Sequence, residues 1–141
     1  MKTILVDLNI ILDYLENRNG CEKAEELLAK CFRKELKGYV CAHEITTLSY
    51  YLGKSRKNRT ENLQIISRIL QIFDVIEICK SILEKAVLSN ITDFEDAVIV
   101  ESAKVKKISY IITRNIKDFK NSQIPAILPE EFLSKNYSDL A

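Results

Sequence analysis

The feature that most constrains this chain is the alternation of short apolar runs, several of them closed by an acid or a small polar group, with amphipathic segments of helical period. Thr3-Ile4-Leu5-Val6 is rich in strand formers and stops at Asp7, the pattern of a strand buried on both faces of a parallel sheet. Ile10, Ile11, Tyr14 and Leu15 then recur at helical spacing. Gly20 ends that helix, and the next segment sets Ala24, Leu27, Leu28, Cys31 and Phe32 on one face with charges opposite. Residues 38–42 read as a second strand, and Ile45, Leu48 and Leu52 mark a third helix. Leu63, Ile66, Ile69, Leu70 and Phe73 give the inner face of a fourth helix, and 75–78 a further strand. A fifth helix over 80–89, a sixth over 93–107, a strand over 109–113, a turn or short helix over 114–119 and an edge strand over 124–128 complete the pattern. Only three Gly and two Pro punctuate it, so regular structure, mostly helix, takes up the chain. The alternation predicts a three-layer α/β/α sandwich with a mainly parallel central sheet and right-handed crossovers, residues 1–141 forming one domain.

Composition narrows what such a sandwich does. At 47% apolar and 29% charged residues, the chain is neither a disordered segment nor a disulfide scaffold. Its 21 Lys and Arg against 20 Asp and Glu leave a net charge of +1, which excludes indiscriminate electrostatic binding of nucleic acid. The near-zero sum hides local segregation: residues 93–101 hold four acids and no base, and 54–59 hold four bases and no acid. Asp7 and Asp13 interrupt the apolar start, so neither a membrane helix nor a signal peptide is expected. Cys21, Cys31, Cys41 and Cys79 form no CxxC pair and His43 is the single histidine, a poor basis for a zinc site. Free, mostly buried thiols in a reducing cytoplasm are the expectation.

The acids fall where a parallel sheet builds its crevice, outside the carboxyl ends of the strands. Asp7 follows the first strand, Glu44 the second by two residues, Asp93, Glu95 and Asp96 open the sixth helix, and Asn115 and Asp118 follow the strand ending at Thr113. Carboxylates gathered in one place repel and raise one another's pKa unless a cation joins them. Such an oxygen-rich, histidine-poor set suits Mg²⁺ or Mn²⁺ rather than zinc, and those ions serve in-line phosphodiester displacement. Each acid also has a structural explanation: Asp7 and Asp93 stand at N-cap positions, and Glu44, Glu95 and Asp96 in first turns oppose helix dipoles.

The same residues carry a resemblance. Val6-Asp7-Leu8-Asn9-Ile10-Ile11-Leu12-Asp13 resembles the opening VDxNxxLD of PIN-domain ribonucleases, His43-Glu44 to Leu52 their second acidic motif, and Asp93-Phe94-Glu95-Asp96-Ala97 the third. Residues 111–119, Ile-Ile-Thr-Arg-Asn-Ile-Lys-Asp-Phe, resemble the closing ITRNxxDF. The four motifs occur in order and span residues 6–119. The resemblance implies a metal-dependent endoribonuclease, often the toxin of a VapC-type toxin–antitoxin pair with an antitoxin protein as partner. The apolar helices at 24–32 and 63–73 could build the face of a homodimer or receive an antitoxin segment, although core burial is their commoner use. By motif position, Asp7, Glu44 and Asp96 would hold the Mg²⁺ or Mn²⁺. Asp93 would either cap the helix or join the metal site, Asp118 would support a second ion or orient water, and Asn9 and Thr113 would lend polar support. Many relatives carry a fourth acid where this chain has the neutral Asn115, which leaves room for a non-catalytic PIN-like module that binds RNA or protein.

Candidate RNA contacts are Lys54, Arg56, Lys57 and Arg59, the six cations of residues 104–120, and above all Arg114 beside the proposed site. The alternative for Arg114 is a salt bridge that orders its loop. Tyr39, Tyr50 and Tyr51 have the chemistry to stack on bases, but their spacing favours core or dimer packing, and His43 is expected to cap or pack. A phosphotransferase using Asp7 as nucleophile is disfavoured, because the residue two positions on, Asn9, cannot act as acid or base.

Overall fold

The structure, a computed structural model, describes residues 2–134. Strand β1 (Thr3–Val6) leads into α1 (Leu8–Leu15) and α2 (Cys21–Phe32), then β2 (Lys37–Cys41), α3 (Ala42–Ser55) and α4 (Arg59–Ile72). Strand β3 (Asp74–Ile76), α5 (Lys80–Val87), α6 (Phe94–Val105), β4 (Tyr110–Ile112), a 3₁₀ turn (Ile116–Phe119), β5 (Ala126–Ile127) and α7 (Pro129–Ser134) follow. The strands lie in the order β3-β2-β1-β4-β5, every neighbouring pair parallel. The register sets Leu5 opposite Tyr39 on one side and Ile111 on the other.

The period of two along a strand sorts its side chains between the two faces. Ile4 and Val6 of β1, Val40 of β2 and Ile112 of β4 pack with α1, α2, α3, α4 and α7. Leu5, Cys41 and Ile111 point the other way, into a core built with α5 and α6. Helices cover both faces, giving the expected α/β/α sandwich with all sheet pairings parallel. Burying each of these Ile, Leu and Val side chains contributes roughly 1.5–3 kcal/mol, which is why the strands read as unbroken apolar runs. Gly38 is required by the packing beneath β2. A Cβ there would stand 2.7 Å from Cys31 Sγ and 2.8 Å from the Phe73 ring.

Several expectations shift in detail. Strand β2 ends at Cys41, and Ala42, expected in the strand, opens α3. Phe32 closes α2 but is 62% exposed rather than part of its buried face. On α4, Leu63 and Leu70 face solvent, whereas Asn62 and Ile69 are buried and Ile65 and Ile66 are half-buried. That helix carries apolar residues around much of its circumference, and contact with α2 and α3 decides which stripe turns inward. Of the four thiols only Cys31 and Cys41 are buried; Cys79 is exposed and Cys21 intermediate. Helix α7 has no counterpart in the sequence reading, although Pro129 followed by Glu130 and Glu131 is a helix-start signature.

Candidate active site

The chain runs from β1 through β2 to β3 on one side of the sheet, then returns to place β4 on the other side of β1. Beyond the carboxyl ends of β1 and β4 the connections therefore diverge, which opens a crevice at this switch in strand order. Asp7 is the first residue past β1 and the N-cap of α1, with its amide still bonded to the Ile112 carbonyl at 2.9 Å. Glu44 is held in the first turn of α3, where its Oε1 accepts the Cys41 amide at 2.9 Å. Asp93 caps α6, its Oδ1 accepting the Asp96 amide at 3.0 Å, and Asp96 stands in the first turn of that helix. The 3₁₀ turn after β4 brings Asp118 to the same place.

These elements enclose a cleft of about 280 Å³ lined by Asp7, Asn9, His43, Glu44, Thr47, Tyr51, Asp93, Glu95, Asp96, Asn115 and Asp118, together with Leu8, Leu12 and Ile99. Beneath it, Thr113 Oγ1 donates to Asp7 Oδ2 at 2.7 Å and accepts the Asn115 amide at 3.0 Å. Asn9 Nδ2 donates to the same Asp7 oxygen at 3.1 Å, and Asn9 Oδ1 accepts the Arg114 amide at 3.4 Å. Thr113 and Asn9 thus orient Asp7, and Thr113 is fully buried while doing so.

Burial, reinforced by neighbouring acids, raises the pKa values of Asp7, Glu44 and Asp96. Burial is the main cause at Asp7, opposed by the Thr113 hydrogen bond and reinforced by Asp118. Glu44 lies well above the usual carboxylate range because it is buried and faces Asp7 and Asp96. Asp96 is pushed up to about 7, first by burial and then by Asp93, Asp7, Asp118 and Glu95. Neighbouring acids thus add to burial at all three carboxyls, Asp118 at Asp7, Asp7 and Asp96 at Glu44, and Asp93, Asp7, Asp118 and Glu95 at Asp96.

The residues present fit a hard divalent cation. Glu44 Oε2 is buried with no hydrogen-bond partner, a costly state for a carboxylate oxygen unless something else pairs with it. Among the described residues no group of three or more Asp, Glu, His or Cys side chains is placed to hold a metal ion together. Magnesium takes only one or two carboxylates and keeps its waters, so a cleft with spread acids suits it better than a closed cage.

The structure brings together Asp7, Asn9, Glu44, Asp93, Asp96, Asn115 and Asp118 around the cleft, with Thr113 directly behind. It does not bring Arg114 there as a free cation. Its Nε donates to Asp13 Oδ2 at 3.0 Å, Nη1 pairs with Glu130, and Nη2 reaches the Gly20 carbonyl at 3.3 Å. The RNA-contact reading of Arg114 gives way to the salt-bridge reading: the side chain ties the turn after β4 to α1 and α7. Gly20 has φ +88°, and a Cβ on it would meet Arg114 Nη2 at 2.1 Å.

The basic loop is also displaced from the acids. Arg56, Lys57 and Arg59 line a separate depression with Ser49, Gly53, Asn62 and Leu63, and Arg56 donates to the Leu15 carbonyl at 2.7 Å. Lys54 lies over the Tyr50 ring, 4.9 Å from its centroid. The cations beside the acids are instead Lys117 and Lys120, which share a depression with Asp93, Asp96 and Asp118. His43 is half-buried in the cleft wall, and Thr46 and Thr47 donate to its carbonyl at 2.8 and 3.0 Å. Tyr50 and Tyr51, expected to pack, are 60% and 44% exposed.

A PIN-domain family profile matches residues 3–117. The chain belongs to the PIN-domain family. No curated protein matches it, but solved structures share the PIN fold. A toxin–antitoxin complex from Klebsiella pneumoniae superposes with a TM-score of 0.67 at 23% identity, over 89% of this chain and 97% of that one. DNA-bound VapBC from Salmonella typhimurium gives 0.70 at 14% identity, covering 92% and 99%. VapC20 of Mycobacterium tuberculosis, a sarcin-ricin loop cleaving toxin, gives 0.62 at 16% identity, covering 77% and 86%. At these identities the likeness is one of fold. No helix among the described residues is long and apolar enough to cross a membrane.

Proposed function

We propose that this PIN-domain chain is a Mg²⁺- or Mn²⁺-dependent endoribonuclease acting in the cytoplasm as the toxin of a type II toxin–antitoxin pair, with an antitoxin protein as partner and a homodimeric assembly. The observation that carries the reading is the convergence of Asp7, Glu44, Asp96 and Asp118 on one cleft from the segments after β1, β2 and β4 and from the start of α6. Asp7, Glu44 and Asp96 would hold the ion, one or two of them directly and the rest through its waters, with Asp93 fixing the first turn of α6 behind Asp96. A bound divalent ion supplies a water of lowered pKa and positive charge opposite the phosphoryl oxygens.

The protein's own groups do the rest. Thr113 and Asn9 fix the Asp7 carboxylate, so that its orientation is set before substrate arrives. Asp118, exposed at the rim, orients the attacking water by accepting its hydrogen bond. Lys117 and Lys120 hold the flanking backbone phosphates beside the acids. The toxin–antitoxin complex from Klebsiella pneumoniae and the sarcin-ricin loop cleaving toxin from Mycobacterium tuberculosis, which share this fold, support the same reading.

A second reading is favoured by Asn115, a neutral amide on the cleft wall where the motif resemblance implies an acid: a PIN module that binds RNA without turning it over. Incubating labelled RNA with Mg²⁺ or Mn²⁺ separates the two. Cleavage by wild type that is lost in Asp7→Asn and Asp96→Asn is the expected result. Equal cleavage by all three refutes the site, and RNA binding without cleavage selects the second reading.

A further inference from the structure

Helix α3 supplies Glu44 to the cleft and then continues well past it. His43, Thr47, Tyr50, Tyr51 and Lys54 recur three and four residues apart, so they share one face of that helix. His43, Thr47 and Tyr51 line the cleft beside Glu44, and Tyr50 stands edge-on to Tyr51 with ring centroids 5.9 Å apart. Lys54 lies over the Tyr50 ring. The face therefore runs from the acids to two exposed aromatic rings and ends at a cation, over roughly 16 Å of helix.

Core packing does not account for this face. The buried residues of α3 are Glu44, Leu48 and Leu52, whereas Tyr50 is 60% exposed and Tyr51, on the cleft wall, 44%. Two adjacent exposed tyrosines next to a lysine form a surface on which unpaired bases stack while the cation meets the backbone. Duplex RNA offers no free base faces to such a surface, because its bases are stacked in the helix interior.

We infer that the outer face of α3 is a subsite for single-stranded RNA, with Tyr51 stacking on the base next to the scissile phosphate, Tyr50 on its neighbour, and Lys54 contacting the phosphate beyond. The inference rests on the nuclease reading and names the residues that would seat the strand beside the cleft. It also gives the two tyrosines a role that helical spacing alone assigned to packing.

Fluorescence anisotropy with a short labelled oligouridylate, in an Asp96→Asn background so that turnover does not consume the probe, tests it. Tyr51→Leu and Tyr50→Leu are each expected to weaken binding about five-fold or more, with thermal melts unchanged because both side chains are exposed. Tyr51→Phe is expected to retain binding. Lys54→Gln is expected to lower the slope of log affinity against log salt by about 0.7. The same oligouridylate annealed to oligoadenylate is expected to bind more weakly than the single strand. Unchanged affinity in both tyrosine variants overturns the subsite, and if the otherwise native chain cleaves RNA, the nuclease reading stands without it. Tyrosine-dependent binding in a chain that cleaves nothing supports the subsite and removes the nuclease reading. A change of mass in light scattering for Tyr51→Leu, with the probe bound as tightly as before, assigns the face to contact between copies of the chain and overturns the proposal.

Discussion

Replacing Thr113 isolates how the site orients its first acid. The residue is fully buried, and its hydroxyl is used twice, donating to Asp7 Oδ2 at 2.7 Å and accepting the Asn115 amide at 3.0 Å. Thr113→Val keeps the shape of the side chain and removes the hydroxyl. Thr113→Ser keeps the hydroxyl and removes one methyl group. A hydrogen bond to a charged partner contributes about 1.5–3 kcal/mol, and the Asn115 amide also loses its acceptor, so valine is expected to cost about 2–3 kcal/mol. Serine should cost about 1 kcal/mol, the range for deleting one buried methyl. Urea unfolding at constant m gives both values directly. The same order should hold for RNA hydrolysis, with valine the more damaging because Asp7 loses its strongest tether. A serine variant as unstable as the valine variant, or less stable, would mean that Thr113 acts by packing and would refute the orienting role.

Two further outcomes follow from the same geometry. Asp7, Glu44 and Asp96 all have folded-state pKa values raised above their unfolded values, so the folded chain holds protons that the unfolded chain releases. Their contribution to metal-free stability is therefore greatest below the unfolded carboxylate range near pH 4 and is lost as pH rises through about 7, where Asp96 ionises. Thermal melts of chelated protein should fall over that window, and Mn²⁺ should raise the melting temperature more at its alkaline end; a flat profile contradicts the coupling of the acids. Gly20→Ala places a side chain at φ +88° and 2.1 Å from Arg114 Nη2. The left-handed backbone alone costs about 1–2 kcal/mol, and the displaced guanidinium adds to it, so a melt equal to wild type would show that the Arg114 clamp is dispensable.

The fold and the acids were legible because both follow from local rules. A strand buried on two faces must be apolar throughout, and the acid that ends it marks the sheet's carboxyl edge, as at Val6-Asp7. The sequence also exposed Asp93 as a cap, since a short polar side chain before a helix bonds the amide three residues on. What it could not display was contact between distant segments. Arg114 is 101 residues from Asp13 and 16 from Glu130, and nothing in the local pattern distinguishes a clamped arginine from one free to meet phosphate. The orientation of α4 was hidden for a related reason. Leu63 and Leu70 are as apolar as Ile65 and Ile69, and only packing against neighbouring helices selects between the stripes. Tyr50 and Tyr51 do not enter the core of the chain, and helical spacing does not say whether a partner covers that face.

The raised pKa values of Asp7, Glu44 and Asp96 and the unpaired Glu44 oxygen support the proposal that the cleft binds a divalent cation. Calorimetric titration of Mn²⁺ near pH 7, where Asp96 is poised, in two buffers of different ionisation enthalpy, measures binding and proton release together. Wild type is expected to bind Mn²⁺ and release protons as the acids ionise, with Asp7→Asn and Asp96→Asn each losing both signals. Absence of binding to the wild-type chain, or binding that survives both substitutions without proton release, would contradict the account.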